Sequence, residues 1–395
     1  MDTEKFSKSP SGKIVKSGQG DTAYWSYIPN PLPPELAFDH ELIRALSDAD
    51  RSLGELAGLG RTMPNPHLLI RPFIRREAVL SSRIEGTETD ITDLYAYEAG
   101  QLPLPGVEHK HVPPESDVRE VRNYVVALEY GIERLNTLPV CLRLMRELHE
   151  HLMKDVRGGH ATPGEFRRSQ NWIGPRGCTL NEATYVPPPV PDMQEALSRV
   201  EKYIHDDATL PPLVRIGLIH YQFESIHPFI DGNGRIGRLL ISLLLANWKL
   251  LPQPLLYLSA YFEHHRQEYY DRLLAVSQSG AWREWLIFYL RGVAEQGQDA
   301  ITRAKKLQDL QLEWRNRLLQ ARSSSVLLRL ADLLFESPYI TIPQAKDGLK
   351  TTYPSAQLSI QKLVKAKILR PLSKTAYGKM FVADEVLKII DKTDH

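Results

Sequence analysis

Residues 227–238 read HPFIDGNGRIGR and run straight into the apolar stretch LLISLLLA. A histidine, an acid, two glycines flanking an asparagine and two arginines therefore stand at the mouth of a helix. Gly232 and Gly234 let the backbone turn sharply and approach a ligand closely. Arg235 and Arg238 are three apart and share a face in the first turn of that helix. Cations there oppose the helix dipole, at about 0.3–1 kcal/mol each, so a negative ligand should offset them. Backbone N–H groups at a helix start already form an anion site. Loop, dipole and arginines agree on a polyanion, most simply a nucleotide phosphate chain.

The other residues of the stretch extend this reading. Asp231, just ahead of the glycines, is placed to hold Mg²⁺ beside phosphates. The Asn233 amide can donate to a phosphate oxygen. His227, with a pKa near ~6.5, suits general-base work at neutral pH. A base, a metal ligand and phosphate clamps together fit transfer of a phosphorus-containing group to a hydroxyl. The glycine spacing is not that of a Walker A loop and no GK[ST] follows it, which excludes a P-loop NTPase.

Composition narrows the setting. The chain has 395 residues, enough for two or three domains, and a net charge of +1 that advertises no bulk polyanion partner. Cys141 and Cys178 form no metal or disulfide pattern. The polar start lacks a secretory signal and the longest apolar run is too short for a bilayer. The expectation is a cytoplasmic protein with no membrane partner.

Periodicity predicts a mainly α chain in five parts. Residues 1–30 read as a flexible N-terminal arm, and PNPLPPEL leads into a helix starting near Pro34 or Glu35. Residues 31–110 read as an N-terminal helical region, and 111–303 as a core of helices, the first capped by Ser116. Glycines, prolines and short β-prone pieces over 157–191 read as a hairpin. Residues 304–320 read as a linker helix. Residues 321–395 read as three helices and a β-hairpin, the order of an α+β winged helix-turn-helix. This last part holds 12 Lys/Arg against 7 Asp/Glu, a local net of +5.

The run from His227 to Arg238 resembles, without a mismatch, the signature His-Pro-Phe-x-Asp/Glu-Gly-Asn-Gly-Arg-x-x-Arg of the Fic (Fido) family, enzymes that transfer AMP. The similarity covers roughly residues 30–300, with PGEFRRSQNWIG and ATYVPPP similar to the family's β-hairpin flap. The resemblance implies a Fic-type helical bundle and a protein adenylyltransferase, a nucleotidyltransferase using ATP and Mg²⁺. His227 would take the proton from a Ser, Thr or Tyr hydroxyl of a target protein. Asp231 would hold Mg²⁺. Gly232, Asn233 and Gly234 would form the anion hole, while Arg235 and Arg238 would grip the β- and γ-phosphates. Phe229 would anchor the loop. Ala183, Thr184 and Tyr185 of the flap would line the nucleotide and align the target backbone. Tyr269, with Tyr257 and Ser277, would border adenine and ribose. A related subclass transfers the γ-phosphate instead, but departs from the motif at the glycines that are intact here. A phosphocholine-transferring variant shares the motif.

A second stretch, SSRIEG at residues 81–86, matches the family's inhibitory motif through Ser81, Glu85 and Gly86. Glu85 at a helix C-terminus faces the negative end of the dipole and wants a cation. The resemblance implies that it pairs with Arg238 where the γ-phosphate must sit, the arrangement of the class with an N-terminal inhibitory helix. The same glutamate implies, as an alternative, removal of AMP from a modified target. A further alternative is a nucleotide-sensing transcriptional regulator acting through the winged helix. In that module Gln357, Ser359, Gln361, Lys362 and Lys365 read as outward on the third helix, flanked by Lys374 and Lys379. The partners compatible with these readings are a target protein or the chain itself, DNA through residues 321–395, and a second copy in a homodimer.

Overall fold

The computed structural model describes residues 1–20, 23–62, 67–100, 113–156, 162–175, 177–206, 209–321, 324–372 and 380–391. Helices dominate them, as apolar side chains at three- and four-residue spacings require. Two units emerge: Met1–Glu55 with Val126–Gly297, and Leu56–Val125 with Gln298–His395. This division differs from the contiguous blocks the sequence suggests. Helices remote in sequence share apolar faces, so His67–Ile84 packs on Ser325–Glu336 inside the second unit. The stretch read as a linker helix is continuous with one helix, Trp282–Gln320.

The centre of the first unit is the pair Pro212–Ile226 and Asn233–Asn247, which pack side by side. Leu239, Leu240, Leu243 and Leu244 of the second helix are at most 1 % exposed, and Ile216, Leu218, Ile219 and Phe223 of the first are 0 % exposed. Helices buried all round carry little amphipathic pattern, which is why both read as apolar runs. Leu142–Leu152 packs against the motif helix, and Val190–His205 against Pro212–Ile226.

Residues 1–30 are not a loose arm. Thr3–Phe6 is a short helix capped by the Asp2 carboxylate, and strands Gly12–Ser17 and Tyr24–Pro29 pair antiparallel from Gly12 opposite Pro29 to Ser17 opposite Tyr24. Phe6, Tyr27 and Tyr185 form an aromatic cluster with ring centroids 5.6–6.1 Å apart. The Tyr27 N–H donates to Val186 O at 2.8 Å. A polar composition hid two buried anchors, Phe6 and Tyr27. The first long helix starts at His40, later than the prolines suggest, because Asp39 Oδ1 accepts the N–H groups of Glu41 and Leu42. Ser116 is not a cap: its helix begins at Glu115 and its hydroxyl donates to Asp117.

The hairpin expected over 157–191 is reduced, among the described residues, to one antiparallel bridge. Ile173 and Tyr185 exchange two backbone hydrogen bonds, at 2.9 and 3.0 Å.

In the second unit, Ser325–Glu336 is followed by Tyr339–Thr341, Ile342–Leu349, Tyr353–Lys365, Arg370–Pro371, Met380–Val382 and Asp384–Asp391. The strands form one antiparallel sheet with Met380–Val382 in the middle. Lys374 and Lys379 lie outside the described residues.

Phe6→Ala tests the docking of the N-terminal segment. A buried Phe truncated to Ala costs about 3–5 kcal/mol, so urea unfolding should show that loss. A loose arm would leave the midpoint unchanged.

Candidate active site

The site is built where Pro212–Ile226 hands over to Asn233–Asn247. His227 is the C-cap of the first helix and takes a left-handed conformation, φ 49° and ψ 61°, uncommon for a residue with a Cβ. Its N–H still donates to Phe223 O at 3.0 Å. Its Nδ1 lies 3.2 Å from Glu224 O. A carbonyl only accepts, so Nδ1 carries the proton, and in the neutral ring the lone pair sits on Nε2. The half-buried imidazole is thereby presented as a base through Nε2.

Asn233 closes the loop. Its Oδ1 accepts the Phe229 N–H at 2.8 Å and its Nδ2 donates to Phe229 O at 2.9 Å. One of the two amide N–H donors is thereby committed to the loop's own backbone. The Asn233 backbone remains at the helix start. Gly232, with φ 79°, is the residue before the first turn. A Cβ there would lie 3.1 Å from Met153 Sδ and demand a left-handed φ, so glycine is required twice over. The helix start has no side-chain cap, leaving its N–H groups for a ligand.

Arg235 and Arg238 are 4 % and 2 % exposed. Arg238 lies one turn deeper than expected, because the helix begins at Asn233. Arg235 approaches Met153 Sδ and Asp231 Oδ1, each at 3.8 Å. The Asp231 carboxylate is 54 % exposed and its Oδ1 accepts the Gly232 N–H.

Three contributors escaped sequence reasoning. His149 is 0 % exposed and stacks on Phe229, with centroids 3.8 Å apart and planes 6° from parallel. Its Nδ1 accepts the Gly164 N–H, so Nε2 carries the proton and donates to Asp231 O at 3.1 Å. Burial lowers its pKa to about 4. The signal was present: His149 shares the apolar face of Met145, Leu148 and Leu152. Arg167 and Asn171 both donate to His227 O, at 3.0 and 3.2 Å. No periodicity singles them out.

The structure does not bring every expected residue to this loop. Tyr185 points its hydroxyl into the core, onto Ser225 O and Oγ. Ala183 is buried beside Gly174, and Thr184 is exposed between them, an alternation that strand geometry imposes. Tyr269, 1 % exposed, commits its hydroxyl to His220 Nε2 at 2.9 Å, and Ser277 bonds Tyr221 at 2.8 Å. Tyr257 donates to Pro254 O at 2.7 Å. These contacts place the hydroxyls of Tyr185, Tyr269 and Ser277 in the core. Glu85 and Ser81 belong to the second unit. Ser81 is 0 % exposed. Glu85 is exposed in the turn after His67–Ile84, followed by Gly86 at φ 97°.

Comparison with known proteins agrees with this geometry. Two family models match, "Fic/DOC family N-terminal" over residues 43–133 and "Fic/DOC family" over residues 139–245, together half of the chain. The chain belongs to the Fic family. A curated relative, "Protein adenylyltransferase Fic" of Drosophila erecta, is 32 % identical over 133 residues, 31 % of this chain and 24 % of the relative. The match thus spans about a quarter of the curated relative's length. A Fic family protein from Desulfovibrio desulfuricans G20 shares the fold, with a TM-score of 0.57 at 17 % identity over 89 % of this chain and 98 % of that one. A Fic domain containing signaling protein from Bacteroides thetaiotaomicron gives 0.51 at 18 % over 66 % and 97 %.

His149 makes stability depend on pH. The unfolded chain binds a proton there near pH 6.5, whereas the folded chain does so only near pH 4. Stability is therefore fully present above the unfolded pKa and is lost as pH falls through this window, by at most about 3 kcal/mol. His220, lowered to about 3 by burial, acts in the same direction. Urea unfolding of wild type and His149→Gln between pH 7 and 4.5 should give a flatter profile for the variant.

Proposed function

We propose that this chain is a protein adenylyltransferase that moves AMP from ATP to a Ser, Thr or Tyr hydroxyl of a target protein. The observation that carries the reading is the His227 tautomer beside an uncapped, arginine-bearing helix start. The target hydroxyl oxygen attacks the α-phosphorus as its proton passes to His227 Nε2. The bond to the bridging oxygen of the leaving group breaks, and pyrophosphate departs with that electron pair. The N–H groups of Asn233 and Gly234 at the helix start receive the charge developing on the α-phosphate. Arg235 and Arg238 hold the outer phosphates.

Asp231 fits Mg²⁺: it is a hard oxygen donor, and its exposure admits a hydrated ion. The described residues contain no cluster of three or more potential ligands. When bound, Mg²⁺ supplies charge neutralisation to the nucleotide phosphates.

Glu85 is proposed as a brake. Its exposed carboxylate follows a helix C-terminus, where the dipole favours a cation partner. The same carboxylate would serve a water attacking AMP on a modified target, making the reverse reaction an alternative activity. No helix among the described residues is long and apolar enough to cross a membrane, and we propose a cytoplasmic protein.

A second role falls to the C-terminal module. Ile342–Leu349 and Tyr353–Lys365 are joined by only residues 350–352. Lys350, Lys362, Lys365 and Lys367 are exposed around them, against one acid, Asp347. We read this basic helix-turn-helix as a winged-helix surface for duplex DNA.

Wild type, Glu85→Gly and His227→Ala incubated with ATP labelled at the α- or γ-phosphate test the main reading. Strong α-label in Glu85→Gly, weak in wild type and none in His227→Ala, is the expected result. γ-Label would identify a kinase. No label would move a nucleotide-sensing regulator, or another donor such as a phosphocholine carrier, to the front. For the second role, duplex DNA binding by the full chain should weaken with salt. Lys362→Ala and Lys365→Ala should each lower the salt slope by about 1.

A further inference from the structure

The left-handed backbone of His227 is strained for a residue with a Cβ, and such strain persists only where its surroundings over-determine it. The surroundings are specific. The His227 carbonyl accepts from Arg167 Nε at 3.0 Å and from Asn171 Nδ2 at 3.2 Å. Asn171 Nδ2 also donates to Phe229 O at 2.7 Å, so one amide spans the residues on either side of Pro228. The Arg167 N–H donates to Pro228 O at 2.9 Å. Three consecutive carbonyls of the motif loop are thus held by the segment 167–171.

Neither side chain is there for stability alone. Arg167 is 1 % exposed and forms no ion pair among the described residues. Its remaining donors reach Ser169 O and Pro188 O, at 3.1 and 2.6 Å. Burying an arginine among carbonyls, without a carboxylate, is costly; burial lowers its pKa to about 10. Asn171 Oδ1 is buried with no hydrogen-bond partner among the described residues. Two groups that each cost stability converge on one carbonyl, and that carbonyl belongs to the base. Local sacrifices of this kind mark functional positions.

We infer that Arg167 and Asn171 are positioning residues for His227, tying the base to the flap. The tie is short. Asn171 lies two residues from Ile173, which pairs with Tyr185, and Pro188, a further Arg167 acceptor, lies three residues past Tyr185. Any displacement of the paired flap segments is transmitted to the peptide that aims the imidazole. The helix start has holders that do not involve segment 167–171: Asn233 Oδ1 accepts the Phe229 N–H and His149 donates to Asp231 O.

This inference deepens the proposed activity and rests on it. The test compares Asn171→Ala and Arg167→Met in the full chain carrying Glu85→Gly. A base misplaced by about 1 Å costs on the order of 10²-fold in rate. Asn171→Ala should therefore lower kcat for AMP transfer by about 10- to 100-fold. The dissociation constant for a non-hydrolysable ATP analogue with Mg²⁺ should change by less than about 3-fold. Imidazole ¹⁵N spectra, with the His227 signals assigned by their loss in His227→Ala, give a readout independent of turnover. Wild type should show Nδ1 protonated, and Asn171→Ala should shift toward a mixture of tautomers. An unchanged kcat, or a nucleotide affinity that falls as far as kcat, would overturn the inference. If Glu85→Gly transfers no AMP, the activity reading fails alone, and the His227 tautomer decides the positioning: displaced in Asn171→Ala supports it, unmoved sinks it. Should Arg167→Met fail to fold, Asn171→Ala carries the test.

Discussion

The amide of Asn233 grips the Phe229 peptide on both its N–H and C=O sides, and the candidate site hangs from that grip. The two bonds close a five-residue loop at the start of a buried helix. On one side of the closure stands His227. Asp231 lies within it, and the helix start at Asn233 and Gly234 stands on the other side. Base and helix start thereby flank one closed loop, with a separation set by the Asn233 side chain. Phe229, pinned by these bonds, inserts between His149 and Phe223 and plugs the loop into the core.

Buried cations explain why such a closure is needed. Arg235 and Arg238 sit near the positive end of a helix dipole and are almost fully buried. Arg167 adds a third buried guanidinium in the same unit. Two buried guanidiniums with a helix start beside them favour an anionic ligand. His149 is kept neutral by burial, so the wall of the loop adds no further charge at physiological pH. The site is thus prepared electrostatically before any ligand arrives, which is the form of preorganisation that serves phosphoryl chemistry.

Much of this was legible because it is local. The glycines, arginines and histidine of residues 227–238 act through spacing along one chain segment, and turn and helix-start rules apply to such segments directly. What misled was distance. Tyr185 and Tyr269 look like pocket residues in sequence, yet Ser225 and His220 take their hydroxyls. The N-terminal segment looks polar and loose, yet Phe6 and Tyr27 find Tyr185 far along the chain. Asn233 reads as a ligand donor because its neighbours are, and only the folded loop reveals that Phe229 O takes one of its two amide donors.

The sequence by itself determined that a helix of apolar residues begins at a glycine-flanked, doubly cationic start with a histidine and an acid beside it. That follows from residue type and period alone, since a helix start exposes N–H groups whatever the fold. Only the tertiary structure decided which ring nitrogen of His227 is left as the base. It also decided that residues 167–171 hold its carbonyl, and that His149 rather than a predicted residue supports Asp231. The tautomer rests on a carbonyl three residues back, exposed to the ring only by the left-handed turn, while the other two are contacts 60 and 82 residues apart, and side-chain hydrogen bonds over such separations leave no periodic trace in the chain.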